Sequence, residues 1–204
     1  MKTLKKIFSS KIQDTFPYIL IIGGGVALYS AFVLTIEKIE VLKNPSHQLS
    51  CSLDPVLACG PVMMSEQATA FWNIPNPSIG LVAFGMFVMT GLAMLAGAKM
   101  KRWFWRIYTF GVAAGLAFTF WLMYQTVYSI GALCIYCMVV WTVMFTVVWY
   151  LFQYLLAEKH IKINKKITEF VREHHFDILL IWFVVIVGWL LNHFWYYYGP
   201  KLGF

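Results

Sequence analysis

Residues 17–36 read PYILIIGGGVALYSAFVLTI, a run that no charge interrupts. About 20 such residues carry an α-helix across the roughly 30 Å hydrocarbon layer of a bilayer. Lys2, Lys5, Lys6 and Lys11 precede the run, as basic residues precede a secretory signal. It is too long for the hydrophobic part of a signal, however, and no small-x-small cleavage pattern closes it. It reads as a retained anchor. Four more stretches of the same kind follow, at 77–98, 103–128, 132–156 and 176–197. Pro77 opens the second, a position where its missing N–H costs nothing. The expected fold class is therefore all-α: a polytopic membrane protein of five spans, a single integral membrane unit over 1–204, with a long connection at 37–76.

Composition agrees. The chain is 60% hydrophobic and 12% charged, with a mean hydropathy of +0.69. A soluble domain is about 45–50% apolar and about a quarter charged, so a soluble enzyme and a nucleic-acid module are both excluded. A transmembrane barrel would alternate apolar and polar residues instead of running apolar. The net charge of +7 takes its meaning from where the basic residues sit. The N-terminal tail has its four lysines. The second-to-third connection holds Lys99, Lys101, Arg102 and Arg106, and the fourth-to-fifth holds Lys159, Lys162, Lys165, Lys166 and Arg172. Five spans put these 13 of the 16 basic residues on one side, leaving Lys38, Lys43 and Lys201 on the other. By the positive-inside rule the N-terminus is expected in the cytoplasm and the C-terminus outside. The charge is a topology signal.

Aromatic residues gather at the expected span ends: Phe71 and Trp72, Trp103 and Trp105, and Trp195 to Tyr198. That placement suits interfacial belts. Gly23 to Gly25 in the first span, and Gly111 with Gly115 in the third, are expected to let helices approach closely within the bundle.

The chain has four cysteines, and the topology puts all of them outside without having used them. Two lie in the connection 37–76, in Ser50-Cys51-Ser52-Leu53-Asp54-Pro55-Val56-Leu57-Ala58-Cys59-Gly60-Pro61. The first half of that connection is turn-rich, as at Asn44-Pro45-Ser46, and VMMSEQATAFW after Pro61 reads as a short helix at the outer surface. The other two form Cys134-Ile135-Tyr136-Cys137, expected in the first turn of the fourth span. Helical residues three apart share a face at a separation that a disulfide can bridge. A helix N-terminus also favours a thiolate. Outside is where disulfides form and persist, so two pairs meeting there suggest a relay by thiol–disulfide exchange. Two structural disulfides remain an alternative, as do buried free cysteines. A zinc site would want four close ligands, and the loop spacing is loose for one. His174, His175 and His193 form no metal constellation, so no metal is expected.

The order of these motifs resembles the vitamin K epoxide reductase family in its bacterial branch. It consists of a loop pair with seven residues between them (Cys51 and Cys59), a downstream Ser65, Asn76 before the second span, and then Cys134 with Cys137. The likeness covers about 19–152. The DsbB family does similar chemistry on four helices, but its CxxC comes first. The resemblance implies a four-helix bundle that holds a quinone near the outer face under the loop helix, with the fifth span outside that core. It also implies roles for the cysteines. Cys137 faces the quinone, Cys134 exchanges with Cys59, and Cys51 receives electrons from a protein partner. Ser65, Asn76 and Met63 are the expected quinone contacts, with Asn76 hydrogen-bonding a carbonyl. Where animal members carry a Tyr, this chain has Trp141, whose indole donates one hydrogen bond and accepts none.

The implied activity is that of a DsbB-like, quinone-dependent thiol oxidase, a protein-dithiol:quinone oxidoreductase with menaquinone or ubiquinone as acceptor. Its partner is expected to be a separate DsbA-like thioredoxin-fold protein outside the bacterial plasma membrane, since only 198–204 follow the last span and no fused thioredoxin-like domain is read. Two other readings stay open. One is a reductase of quinone or quinone epoxide with another thiol donor. The other is a transporter or assembly protein with structural disulfides, although the expected span centres hold none of the charges such proteins use.

Overall fold

A membrane helix must satisfy every backbone polar group internally, and the apolar runs do so as five long helices. The structure, a computed structural model, describes residues 2–44, 49–70, 73–161 and 163–201. Pro45 and Ser46 of the turn-rich stretch, Phe71 and Trp72 of the expected belt and loop helix, and Lys162 lie outside the described residues. In chain order the helices are α1 (Lys2–Lys43), α2 (Cys59–Met64), α3 (Asn76–Leu95), α4 (Arg102–Gln125), α5 (Ile135–Ala157), α6 (Lys165–Glu173), α7 (His175–His193) and α8 (Trp195–Lys201). A 3₁₀ turn, Glu66–Thr69, follows α2, and a π-helical turn, Thr126–Ile130, closes α4. Among the described residues five segments are long and apolar enough to span a membrane: Ile12–Lys43, Asn76–Leu95, Arg102–Ile130, Ile135–Ala157 and His175–His193. The protein is an all-α polytopic membrane protein.

α1 is longer than expected, because it runs through Pro17 instead of starting there. A proline inside a helix removes one backbone hydrogen bond and crowds the turn before it. Buried aromatic packing on the preceding residue offsets that loss: Phe16 stacks on Tyr154 at 4.9 Å and lies 6.5 Å from Trp105. Trp105 is accordingly a core residue, 3% exposed, and not the interfacial anchor its neighbours suggested. Trp103 does stay exposed.

α1 is the centre of the bundle and packs on both α3 and α5, while α4 packs on α5. Small residues make the α1–α3 seam. A Cβ on Gly91 would meet the Pro17 carbonyl oxygen at 2.7 Å, and one on Gly24 would meet Phe87 Cβ at 3.0 Å. The central glycine of the first span thus does what was expected of it. Gly115 does so as well, since a Cβ there would meet Met144 Cε of α5 at 3.2 Å. Gly111 does not: a Cβ on it would meet nothing within 4 Å, and both glycines also border a cavity. α3 and α4 are not closely packed on one another, and the space between them is that cavity.

Candidate functional site

The site is built on Asp54. Its Oδ1 accepts the N–H groups of Val56 and Leu57 at 2.9 and 2.8 Å, the local turn for which an Asp before a proline is suited. The Leu57 carbonyl accepts from Leu53 N–H at 2.9 Å and closes the turn. The loop then lies beside the chain that enters α5. Leu133 N–H donates to the Val56 carbonyl at 2.6 Å, and Leu57 and Leu133 form a parallel bridge. Gly131 makes this approach possible with φ +70°, a left-handed conformation that side chains resist. Two residues past the bridge on one strand is Cys59, and one past it on the other is Cys134.

Cys51 and Cys59 are joined by a disulfide with their Cα atoms 5.7 Å apart. Cys134 and Cys137 are free thiols. Cys51, Cys59 and Cys134 share one buried cluster with Leu34 and Met63, and Cys137 and Tyr136 pack against it. The four cysteines therefore meet at one end of the bundle, opposite the Phe16–Trp105–Tyr154 cluster. Two expectations about local structure need correction. Cys134 is not inside the first turn of α5: it caps the helix with an extended backbone, φ −100° and ψ 124°, leaving Cys137 in the first turn. The loop helix starts at Cys59, two residues before Pro61, and breaks at Ser65, whose ψ of 155° is extended.

Cap geometry matters chemically. Cys134 stands one residue before the span Ile135–Ala157, and its thiol is held below the ordinary range. A hydrogen bond from the Cys137 thiol is the main cause, and burial opposes it. The N–H groups of Cys137 and Tyr136 add to the effect, although neither reaches the sulfur as a formal capping bond. A lowered pKa means that the thiolate of Cys134 persists at pH values where an ordinary thiol is protonated. In the reduced protein, the rate at which iodoacetamide alkylates Cys134 is expected to keep its plateau value below the usual thiol range and to drop only as pH falls through the lowered value. Cys137→Ala removes the main donor and shifts that profile to higher pH. Identical profiles would contradict this origin of the shift.

The end of α1 holds both flanks of the loop. Glu37 Oε1 accepts from Ser50 Oγ at 2.6 Å, next to Cys51, and Lys38 Nζ donates to the Met63 carbonyl at 2.7 Å, at the last turn of α2. Neither residue stands out in the sequence as functional. Only their adjacency at the end of an apolar run signals them, and Lys38 reads simply as an outer charge.

Below the cysteines lies a cavity of about 450 Å³. Cys59, Cys134 and Cys137 line one end, and it extends between α3 and α4 as far as Tyr108 and Trp103. Cys51 is not in its wall. All four expected quinone contacts are: Met63, Ser65, Asn76 and Trp141. The Asn76 amide, expected to rely on a ligand for its hydrogen bonds, is already engaged. It donates to the Gln67 carbonyl at 2.7 Å and accepts from Ala70 N–H at 3.1 Å, so it ties the 3₁₀ turn to the start of α3. Ser65 Oγ likewise donates to the Val62 carbonyl at 2.8 Å. Among the described residues Lys38 is the one charged side chain in the wall. Among the described residues no three His, Cys, Asp or Glu side chains gather as a metal ion would require.

A disulfide packed against a dithiol at the mouth of an apolar membrane cavity is the arrangement of a thiol oxidoreductase embedded in the bilayer. The model of the Vitamin K epoxide reductase family matches residues 18–152, and the chain belongs to that family. All four cysteines and all four cavity residues named above fall within the match. No curated protein matches the chain.

Proposed function

We propose that the protein is a protein-dithiol:quinone oxidoreductase that reoxidises a separate DsbA-like thioredoxin-fold protein and passes the electrons to a membrane quinone. The observation that carries this reading is the shared buried cluster of Cys51, Cys59 and Cys134 beside Cys137 at the cavity mouth. In this reading the cysteine end faces outward from a bacterial plasma membrane, an orientation that the distribution of basic residues supports. Disulfides persist on that side.

The relay balances as three exchanges. A reduced partner attacks Cys51, its disulfide forms, and the loop pair becomes a dithiol. The Cys59 thiolate then attacks Cys134 of an oxidised Cys134–Cys137 pair and expels the Cys137 thiolate. Attack by Cys51 on Cys59 resolves the mixed disulfide, so the loop disulfide returns and the CxxC is left reduced. Finally the CxxC pair gives up two electrons and two protons and closes its own disulfide. Each exchange depends on thiolate fraction and access.

The cavity suits a quinone. Its volume lies within the roughly 300–1,000 Å³ of small-molecule sites, and apolar walls with a few polar groups are usual there. Lys38, Ser65, Asn76 and Trp141 would hold the ring near the CxxC, and the gap between α3 and α4 would take an isoprenoid tail directly from lipid. Bound menaquinone or ubiquinone supplies the acceptor for two electrons and two protons. Incubation of the purified protein with a small dithiol and a soluble quinone tests the reading. The quinone absorbance is expected to fall catalytically, and no loss above the uncatalysed rate would overturn it.

A further inference from the structure

α7 contributes no buried residue along its whole length, yet the residue that ends it, Phe194, is 1% exposed. Phe194 enters a buried cluster with Val56, Leu133, Val127 and Trp141. Val56 and Leu133 are the two residues whose backbone hydrogen bond lays the cysteine loop beside the CxxC segment. Tyr197 and Tyr198 of α8 pack on the same cluster, and their N–H groups donate to the Phe194 carbonyl at 3.0 and 3.2 Å, turning the chain over it. The outer half of α7 is fixed as well. Trp189 Nε1 donates to Tyr128 Oη at 3.3 Å, and the His193 ring lies 5.0 Å from that of Tyr128, in the π-helical turn that leads to Leu133.

A single backbone hydrogen bond at a membrane surface holds a loop weakly, whereas a buried aromatic ring contributes much more. The family match stops at residue 152, so this ring comes from outside the region that the family model describes. We propose that Phe194 is a positioning residue: the fifth membrane helix uses it to hold the Val56–Leu133 seam closed, keeping Cys59 in register with Cys134. The role rests on the relay proposed above and concerns only its middle exchange, from the loop pair to the CxxC.

That exchange can be timed separately. The fully reduced protein carries four thiols and is mixed rapidly with excess soluble quinone. The first equivalent of quinone is reduced by Cys134 and Cys137 directly. The second waits for the loop thiols to reduce the re-formed CxxC disulfide. In Phe194→Ala the first phase is expected to keep its wild-type rate, which also reports a folded bundle. The second is expected to slow by about tenfold or more, since a misplacement of about 1 Å can cost about a hundredfold. Phe194→Leu should recover most of the lost rate, and Val56→Ala, from the loop side of the seam, should reproduce the split. An unchanged second phase in Phe194→Ala, or equal slowing of both phases in Phe194→Ala and Val56→Ala, would overturn the positioning role. A wild-type protein that reduces only the first equivalent would overturn the relay, and one that reduces none would overturn the quinone reading itself.

Discussion

Cys137→Ala is expected to abolish quinone reduction, with a loss of about a thousandfold or more, the scale seen when a reacting nucleophile is removed. Cys137 borders the cavity together with Cys134 and packs against the buried cysteine cluster. Without it Cys134 has no partner with which to close a disulfide, so two electrons cannot leave the protein as a pair. Loss of a side chain this small from the first turn of α5 should leave the bundle intact, which the thermal transition of the variant in detergent would verify. Equal quinone reduction by wild type and Cys137→Ala would remove Cys137 from the pathway.

The second large effect belongs to Cys134→Ala. Cys59 and Cys134 lie on the two strands that the Leu133–Val56 hydrogen bond joins, and both are almost fully buried. With Cys134 gone, the loop pair can still accept electrons from a reduced partner but has nowhere to send them. The variant should therefore accumulate Cys51 and Cys59 as thiols, detectable by mass-tagged alkylation, while catalytic quinone reduction falls to background. Cys51→Ala separates the steps from the other direction by blocking turnover with the protein partner. If Cys134→Ala turned over normally, the order of the relay would be wrong.

Much of this architecture is legible in the sequence, because it rests on periodicity and length. Apolar runs mark the five spans, and the spacing of the four cysteines marks the site. What is not legible depends on contacts between distant segments. Nothing local in Pro17 says that a helix will pass through it; burial of Phe16 against Trp105 and Tyr154 decides that. An Asn before a membrane helix reads as a ligand contact, but nothing local says that the Asn76 amide, in the cavity wall, also ties the preceding 3₁₀ turn to the start of α3. The GxxxG of α4 reads as a helix seam, which holds for Gly115 against Met144 of α5, while Gly111 makes room for the cavity. Asp54 carried a local signal, since a carboxylate just before Pro55 and two apolar residues is a turn former. The bridge from Leu57 to Leu133 carried none, because a single parallel pairing between a loop and a distant helix entrance leaves no periodic trace.

The central claim is that electrons taken from a protein dithiol emerge on a quinone through this one chain. The most direct measurement mixes the purified protein with a reduced DsbA-like partner and a soluble quinone, following partner thiols and quinone absorbance in the same sample. The relay predicts that the two signals fall together, with one quinone reduced for each pair of partner thiols lost, and that both stop in Cys137→Ala. Loss of partner thiols with the quinone unchanged, or loss of quinone with the partner still reduced, would contradict it.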